Sequence, residues 1–125
     1  MIELTLEQIL ELHTLVIKET GGSIGLRDLG RLEASIATQS QNVFGQELYP
    51  TILDKSAAFI RSIIADHPFV DGNKRTAMIA GLTLLNLNNV RFIFKPGEIE
   101  DYAVNIATDH LDINSISNWL KSHIS

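Results

Sequence analysis

Apolar positions recur every third or fourth residue along most of the chain, which is the spacing of helices that bury one face. In the first such segment they are Leu6, Ile9, Leu10, His13, Val16 and Ile17. Thr5 and Gln8 have the spacing of a capping box, and Gly21-Gly22 ends the pattern, so we predict a helix over residues 5–19. A glycine-rich turn then leads into a second helix that carries Leu29, Leu32 and Ile36 on one face.

The helical pattern is interrupted over residues 39–53. This segment contains Gly45 and Pro50 and has no sustained period, which predicts a loop or a short hairpin. Asp54 is predicted to cap the third helix. The inward positions of that helix are Ala57, Ile60, Ile63 and Ile64.

A fourth helix, predicted from Lys74 to Asn88, is apolar nearly all the way round, and such a helix is usually surrounded by others. Two further helices are predicted, one after Pro96-Gly97 and one over residues 114–122. The pattern as a whole predicts an all-α fold, a helical bundle around one central buried helix. At 125 residues the chain is long enough for one domain with its own core, spanning 1–125.

Composition narrows the classes of protein. Hydrophobic residues make up 45% of the chain and cysteine is absent, so we expect a globular core without disulfides or thiolate metal sites. The longest apolar run, from Ala77 to Leu87, is shorter than the roughly 18 residues of a membrane span. The N-terminal residues do not resemble a signal peptide, so no membrane partner and a cytoplasmic location are expected. A net charge of −5 disfavours direct nucleic-acid binding through a basic surface.

The sequence HPFVDGNKRTA, residues 67–77, places polar side chains at the joint between two apolar helices. If the central helix begins at Lys74, then Asn73 is its N-cap and the first free amides form an anion site. Gly72 lets a ligand approach the backbone closely. Lys74 and Arg75 lie where the helix dipole disfavours cations by about 0.3–1 kcal/mol each. We therefore predict that a phosphate group binds here and balances the local charge.

Asp71 and His67 complete the candidate site. Magnesium at phosphates is typically held by one or two carboxylates, which makes Asp71 the candidate metal ligand. Imidazole changes charge near neutral pH, so His67 is the candidate general base. Phe69 is predicted to point inward and pin the loop. Each residue type alone is common in a structural turn, but their combination within nine residues favours a phosphate-handling site.

Other polar residues are predicted to be structural or to lie on the surface. His13, His110 and His123 have no neighbours at the spacing of metal ligands, and Trp119 is predicted to be core. The segment between Asp109 and Asp112 is predicted to be a capped turn. Surface pairs are expected among Arg27, Asp28, Arg31 and Glu33, with Arg27 alternatively approaching the site.

The block of residues 67–77 resembles the signature of the Fic/Doc superfamily, His-x-Phe-x-(Asp/Glu)-Gly-Asn-Gly-Arg-x-x-Arg. The residues on that pattern are His67, Phe69, Asp71, Gly72, Asn73 and Arg75. Lys74 and Met78 depart from it, at the second glycine and the last arginine. Both departures resemble the Doc (death-on-curing) branch, whose Asn-Lys-Arg-Thr-Ala is matched in full. GGSIGLRDLGRLEASIA and FGQELYP also resemble that branch, so the resemblance covers about residues 20–90.

The resemblance implies a Fic-like fold and a Doc-type toxin of a type II toxin–antitoxin system. Such a toxin is a protein serine/threonine kinase-type phosphotransferase that moves the γ-phosphate of ATP to a threonine of elongation factor Tu and arrests translation. By position, the resemblance implies that His67 is the base, Asp71 the Mg²⁺ ligand and residues 72–75 the phosphate cradle. Residues 39–53 correspond to the flap that aligns the target. A lysine in place of glycine at position 74 fills the phosphate groove, so the triphosphate is expected to bind in another direction.

Two alternatives stay open from the sequence. One is Fic-type adenylyl transfer from ATP to a protein hydroxyl, and the other is a catalytically silent module that binds an antitoxin. Some Fic proteins carry an inhibitory helix with glutamate followed by Gly or Asn, and this chain has no such pair. The resemblance therefore implies restraint by a small antitoxin in trans, through a segment that folds as a helix in a groove.

Overall fold

Six α-helices and one small hairpin make up the computed structural model, which describes residues 1–125. The helices are α1 (Leu6–Thr20), α2 (Leu29–Ala37), α3 (Ile52–Asp66), α4 (Asn73–Leu87), α5 (Glu98–Asp109) and α6 (Ile113–Ser122). Between α2 and α3 lie a 3-10 turn (Thr38–Ser40) and an antiparallel hairpin of β1 (Asn42–Val43) and β2 (Gln46–Glu47). The predicted all-α fold with its short hairpin is confirmed. None of the helices combines the length and apolar composition needed to cross a membrane.

Local signals set the ends of α1 as predicted. Thr5 Oγ1 accepts a hydrogen bond of 3.2 Å from the Gln8 N–H, and the Gln8 side chain accepts one of 2.9 Å from the Thr5 N–H. At the other end the Gly21 N–H donates to the Ile17 carbonyl at 2.8 Å, and Gly21 has φ 79°. The capping box and the glycine stop are both confirmed.

Two predicted helix caps are wrong. Asp54 is not the cap of α3, because Thr51 precedes the helix and its Oγ1 accepts from the Asp54 N–H at 3.1 Å. Asn73 is the first residue of α4 rather than its N-cap, which is Gly72 with φ 73°. The reason is that the Asn73 amide is already engaged by Phe69. Its Oδ1 accepts from the Phe69 N–H and its Nδ2 donates to the Phe69 carbonyl, both at 2.9 Å.

Helix α4 lies at the centre of the bundle and packs against α1, α3 and α5. At Gly81 it contacts α3 directly, since the Gly81 carbonyl accepts a 2.8 Å hydrogen bond from Ser56 Oγ. A Cβ at Gly81 would overlap the Ile60 side chain, so a larger residue here would require the buried Ile60 to move. The predicted central buried helix is therefore confirmed, and its N-terminus is fixed beside the end of α3.

A buried lysine anchors the hairpin. Lys55 of α3 is 3% exposed, and its Nζ donates to the Gln39 carbonyl and to Glu47 Oε1, both at 2.9 Å. Gln39 is also buried, and its side-chain amide holds the backbone of Leu4. The hairpin is thus tied to the core at its base, whereas Phe44 at its tip is fully exposed.

Candidate active site

A cleft of about 430 Å³ opens at the N-terminus of α4. Its lining residues are Thr20, Gly21, His67, Val70, Asp71, Gly72, Asn73, Lys74 and Arg75. All six site residues predicted from the sequence therefore meet in one place. Only one lining residue is hydrophobic, and the volume falls within the range of about 300–1,000 Å³ that is usual for ligand sites. The cleft is suited to a polar ligand of nucleotide size.

The N-terminus of α4 gives the cleft its anion-binding character. No side chain caps this helix end, and the first backbone bond is from the Thr76 N–H to the Gly72 carbonyl at 3.0 Å. The three preceding amides, at residues 73–75, are left for a ligand at the positive end of the helix dipole. Lys74 and Arg75 form no ion pair with any acidic residue, so their charge is available to the same ligand. Asn73 contributes a backbone amide here, while its side chain serves Phe69.

His67 is held at the end of α3 by its backbone. It is the C-cap, with φ 48° and ψ 60°, and its N–H donates to the Ile63 carbonyl at 3.1 Å. Its own carbonyl accepts a 2.7 Å hydrogen bond from Arg27 Nε. His67 is exposed and lines the cleft. A left-handed backbone is uncommon for a residue other than glycine, although helices often end in this conformation, and it turns the chain sharply from α3 into the motif.

Asp71 keeps part of its carboxylate free. Its Oδ1 accepts from the Gly72 N–H at 2.9 Å, and its Oδ2 accepts from the Ser23 N–H at 3.3 Å. A carboxylate has about four lone-pair positions, so about two remain for a cation. Nowhere does the chain gather three or more His, Asp or Glu residues at one point. Magnesium typically takes one or two carboxylates together with substrate phosphates, so this cleft fits an ion that binds with the nucleotide and Asp71.

The loop after α1, residues 22–28, hydrogen-bonds to the backbone of the motif loop, residues 67–72. The Arg27 N–H donates to the Pro68 carbonyl at 2.7 Å, and the Val70 N–H donates to the Gly25 carbonyl at 3.0 Å. Phe69 lies in the same antiparallel pairing and is 1% exposed, so the prediction that it points inward is confirmed. These backbone hydrogen bonds therefore hold the motif loop in place against the loop after α1.

Two arginines donate hydrogen bonds to the free carbonyls at the C-terminus of α3. The Arg27 guanidinium donates from Nη2 to the Asp66 carbonyl at 2.9 Å, in addition to its bond to His67. Arg31 donates to the same Asp66 carbonyl at 2.9 Å and also pairs with Asp28 at 3.4 Å. The predicted surface pair is confirmed for Arg31 and Asp28. Arg27 contacts the backbone of His67 but does not line the cleft, so it reaches the site only through the main chain.

His13 is a functional candidate that sequence reasoning missed. It is buried in α1 at 3% exposure, its Nε2 lies 2.8 Å from the Asp71 carbonyl oxygen, and its ring stacks on Phe69. The prediction that His13 is structural agrees with its burial, and the structure adds its contact with Asp71, which the sequence did not indicate. Its only local signal was a polar residue on the apolar face of the first helix.

The remaining candidates lie elsewhere. Asp112 caps α6 as predicted, and the hydrogen bond from the Ser115 N–H lowers the pKa of its carboxyl group. Trp119 is half-buried and stacks on Tyr102 with ring centroids 4.0 Å apart. His123 pairs with Glu98 at 2.8 Å, in the same region of the molecule. None of these residues lines the cleft.

The fold is all-α, and its central helix α4 begins without a side-chain cap, next to His67 and with Lys74 and Arg75 in its first turn. These features place the chain in the class of helical proteins that have an anion site at a helix N-terminus. The sequence model of the Fic/DOC family matches residues 3–85. The chain is 39% identical over 99 residues to "Toxin Doc" of Mycolicibacterium smegmatis, covering 78% of this chain and 76% of that protein. It is 32% identical over 115 residues to "Protein kinase doc" of Escherichia phage P1, covering 92% and 90%. The chain belongs to the Fic/DOC family, in its Doc branch.

Proposed function

We propose that this chain is a Doc-type toxin that transfers the γ-phosphate of ATP to a threonine hydroxyl of a protein and thereby arrests translation. The target implied by the family resemblance is elongation factor Tu. The observation that carries the proposal is the uncapped N-terminus of α4, with unpaired Lys74 and Arg75, in the same cleft as His67. The similarity to proteins named as a Doc toxin and as a protein kinase supports it.

The phosphate chain of ATP would lie across the start of α4. Phosphoryl transfer needs positioning and charge neutralisation more than covalent participation by the protein. The amides of residues 73–75 supply fixed donors, Arg75 a planar fork and Lys74 a compact charge. These groups are suited to different oxygens of one polyphosphate.

His67 would act on the acceptor hydroxyl. The imidazole takes the hydroxyl proton as the threonine oxygen forms a bond to the γ-phosphorus and the bond from that phosphorus to the bridging oxygen breaks. The products are a phosphothreonine and ADP, and the proton taken by His67 passes to solvent. Because the His67 backbone is hydrogen-bonded on both sides, the ring would meet the substrate from a fixed position.

Asp71 would hold the magnesium ion. When bound, Mg²⁺ neutralises phosphate charge and orients the transferring group. The two backbone amides that bind the Asp71 carboxylate, those of Gly72 and Ser23, fix its direction and leave lone pairs for the metal. One carboxylate is sufficient where the phosphates complete the coordination.

An antitoxin in trans is the proposed partner. A largely apolar groove lies between α1, α4 and α5. Its lining residues are Val16, Glu19, Thr20, Arg75, Met78, Ile79, Ile99, Glu100 and Ala103. Arg75 borders both this groove and the cleft, so a helix that fills the groove would also compete for the phosphate-binding cation. This supports inhibition by a segment that folds on binding.

Transfer from ATP labelled at either the α or the γ position tests the proposed reaction. The purified chain and elongation factor Tu should yield threonine label from γ-labelled ATP only, and His67→Ala should abolish it. Label from the α position would instead establish adenylyl transfer.

The Lys74→Gly variant tests whether Lys74 is the reason that the γ-phosphate is transferred. Restoring the glycine of the Fic pattern is expected to shift transfer from the γ to the α label. No label at either position, with toxicity unchanged in His67→Ala, would indicate a silent binding module.

A further inference from the structure

Separate elements hold the main chain and the side chain of Asp71. His13 of α1 lies with Nε2 2.8 Å from the Asp71 carbonyl oxygen. Because a carbonyl oxygen only accepts, Nε2 carries a proton and donates it. The loop after α1 reaches the carboxylate through the Ser23 N–H at 3.3 Å. The candidate metal ligand is therefore fixed at two points by residues far from the motif in sequence.

Packing fixes the imidazole of His13. The ring is 3% exposed and lies flat on Phe69, with centroids 3.9 Å apart and planes inclined by 7°. Phe69 is 1% exposed, and its backbone is held in turn by the Asn73 side chain. The ring cannot turn away from Asp71 without opening a packed interior, so its donor is preorganised.

Gly72 shows how closely α1 approaches the motif loop. A Cβ at this position would lie 2.9 Å from Ile17 Cδ1 and 3.8 Å from His13 Nε2, and the residue has φ 73°. The step from Asp71 to Gly72 precedes the free amides of α4 directly. A displacement of the Asp71 carbonyl would therefore move the carboxylate and the start of the anion site together.

We propose that His13 is a positioning residue for the metal–nucleotide complex. By holding the Asp71 carbonyl, it sets the direction in which the Asp71 carboxylate meets a divalent cation. The inference rests on the proposed function, in which Asp71 is the metal ligand. His13 does not line the cleft and acts only through Asp71. Outer partners of metal ligands typically change metal affinity by about 10–100-fold when they are removed.

Two substitutions at His13 separate its hydrogen bond from its packing. His13→Phe keeps an aromatic ring on Phe69 and removes the donor. His13→Gln removes the ring but carries an amide N–H about as far from Cβ as the imidazole Nε2–H. Asp71→Asn is the reference for a weakened metal site.

Manganese is a suitable probe because it shares the octahedral oxygen coordination of magnesium and is paramagnetic. Its affinity is measured by electron paramagnetic resonance in the presence of a non-hydrolysable ATP analogue. His13→Phe should weaken Mn²⁺ binding by about tenfold or more, while His13→Gln stays close to the wild type. Excess Mg²⁺ should restore kcat in His13→Phe, which a purely structural defect would not allow. Thermal unfolding verifies that each variant is folded, and His13→Met is a second donor-free variant if His13→Phe is not.

Equal Mn²⁺ affinity in the wild type and in a folded donor-free variant would overturn the inference. Equal weakening in His13→Phe and His13→Gln would also overturn it, since packing rather than the donor would then be responsible. A wild type that binds no Mn²⁺ with the analogue would remove both the metal role of Asp71 and this inference. Transfer of the α label in the ATP assay would replace the proposed reaction but leave the Mn²⁺ comparison intact.

Discussion

Arg27 Nε donates a 2.7 Å hydrogen bond to the carbonyl oxygen of His67, across 40 positions of sequence. The same guanidinium reaches the Asp66 carbonyl at 2.9 Å. These are carbonyls at the C-terminus of α3, where a cation is favoured by the helix dipole. The backbone of the candidate base is thus fixed by a side chain outside the motif.

Replacing Arg27 with alanine should reduce activity more than stability. The hydrogen bonds lost are exposed, so we expect the free energy of unfolding to fall by only about 1 kcal/mol. A freed His67 backbone allows the ring to shift, and we expect a loss of about tenfold or more in kcat/KM. Arg31→Ala is the matched control, since Arg31 binds Asp66 but not His67. Equal losses of activity in the two variants would show that closing the helix end, rather than holding His67, is what matters.

Signals that act over a few residues were sufficient to predict most of the helices. The Thr5–Gln8 capping box and the Gly21 stop are local, and both lie where the sequence places them. The contiguous motif was equally accessible, because its residues lie within nine positions and share one cleft. The role of Asn73 could not be predicted, because its side-chain amide binds the Phe69 backbone instead of capping α4.

Contacts between distant segments were beyond the sequence. The bond from His13 to Asp71 spans 58 positions, and neither residue carries a local signal of the other. The bond from Arg27 to His67 is of the same kind and was only an alternative at the sequence level. The residues that form a site can all lie in one sequence motif. The residues that support the site depend on how the helices pack, which local sequence does not show.

The left-handed backbone of His67 predicts different stabilities for two inactive variants. His67→Ala and His67→Gly both remove the imidazole, so neither should transfer phosphate. Glycine adopts φ 48° without the steric cost of a Cβ, which is about 1–2 kcal/mol in this region. We expect His67→Gly to be more stable than His67→Ala by about 1 kcal/mol in urea unfolding. Equal stabilities would show that the position is not left-handed in solution.

Lys55 should contribute more to the free energy of unfolding through its hydrogen bond to the Gln39 carbonyl than through its ion pair with Glu47. Lys55→Met keeps the side-chain length but leaves the buried Gln39 carbonyl without its partner, which should cost about 1–3 kcal/mol in urea unfolding. Glu47→Gln retains an acceptor for Lys55 on a side chain that is 51% exposed, so its cost should stay below about 1 kcal/mol. Protease sensitivity around residues 41–48 should rise in Lys55→Met alone. Equal costs for the two variants would assign the effect to the pair of charges.

The pair of Glu98 and His123 predicts a pH-dependent contribution to stability. His123 Nε2 lies 2.8 Å from Glu98 Oε2, and its Nδ1 lies 2.8 Å from the Trp119 carbonyl oxygen. The hydrogen bond with Glu98, followed by that with Trp119, raises the pKa of His123 above its ordinary value of 6.5. The hydrogen bond with His123, followed by that from the Lys95 N–H, lowers the pKa of Glu98 below its ordinary value of 4.5.

The signs of the two shifts define where the pair stabilises the fold. A raised pKa at His123 contributes stability that is complete below pH 6.5 and is lost as the pH rises through the folded value. A lowered pKa at Glu98 contributes stability that is present above pH 4.5 and is lost as the pH falls through its folded value. Glu98→Gln should therefore reduce the free energy of unfolding more at pH 6 than at pH 9. Glu100→Gln, in the same first turn of α5, makes the same charge change without the partner and should show no such difference. A pH-independent effect of Glu98→Gln in urea unfolding would mean that His123 is not charged in the folded protein.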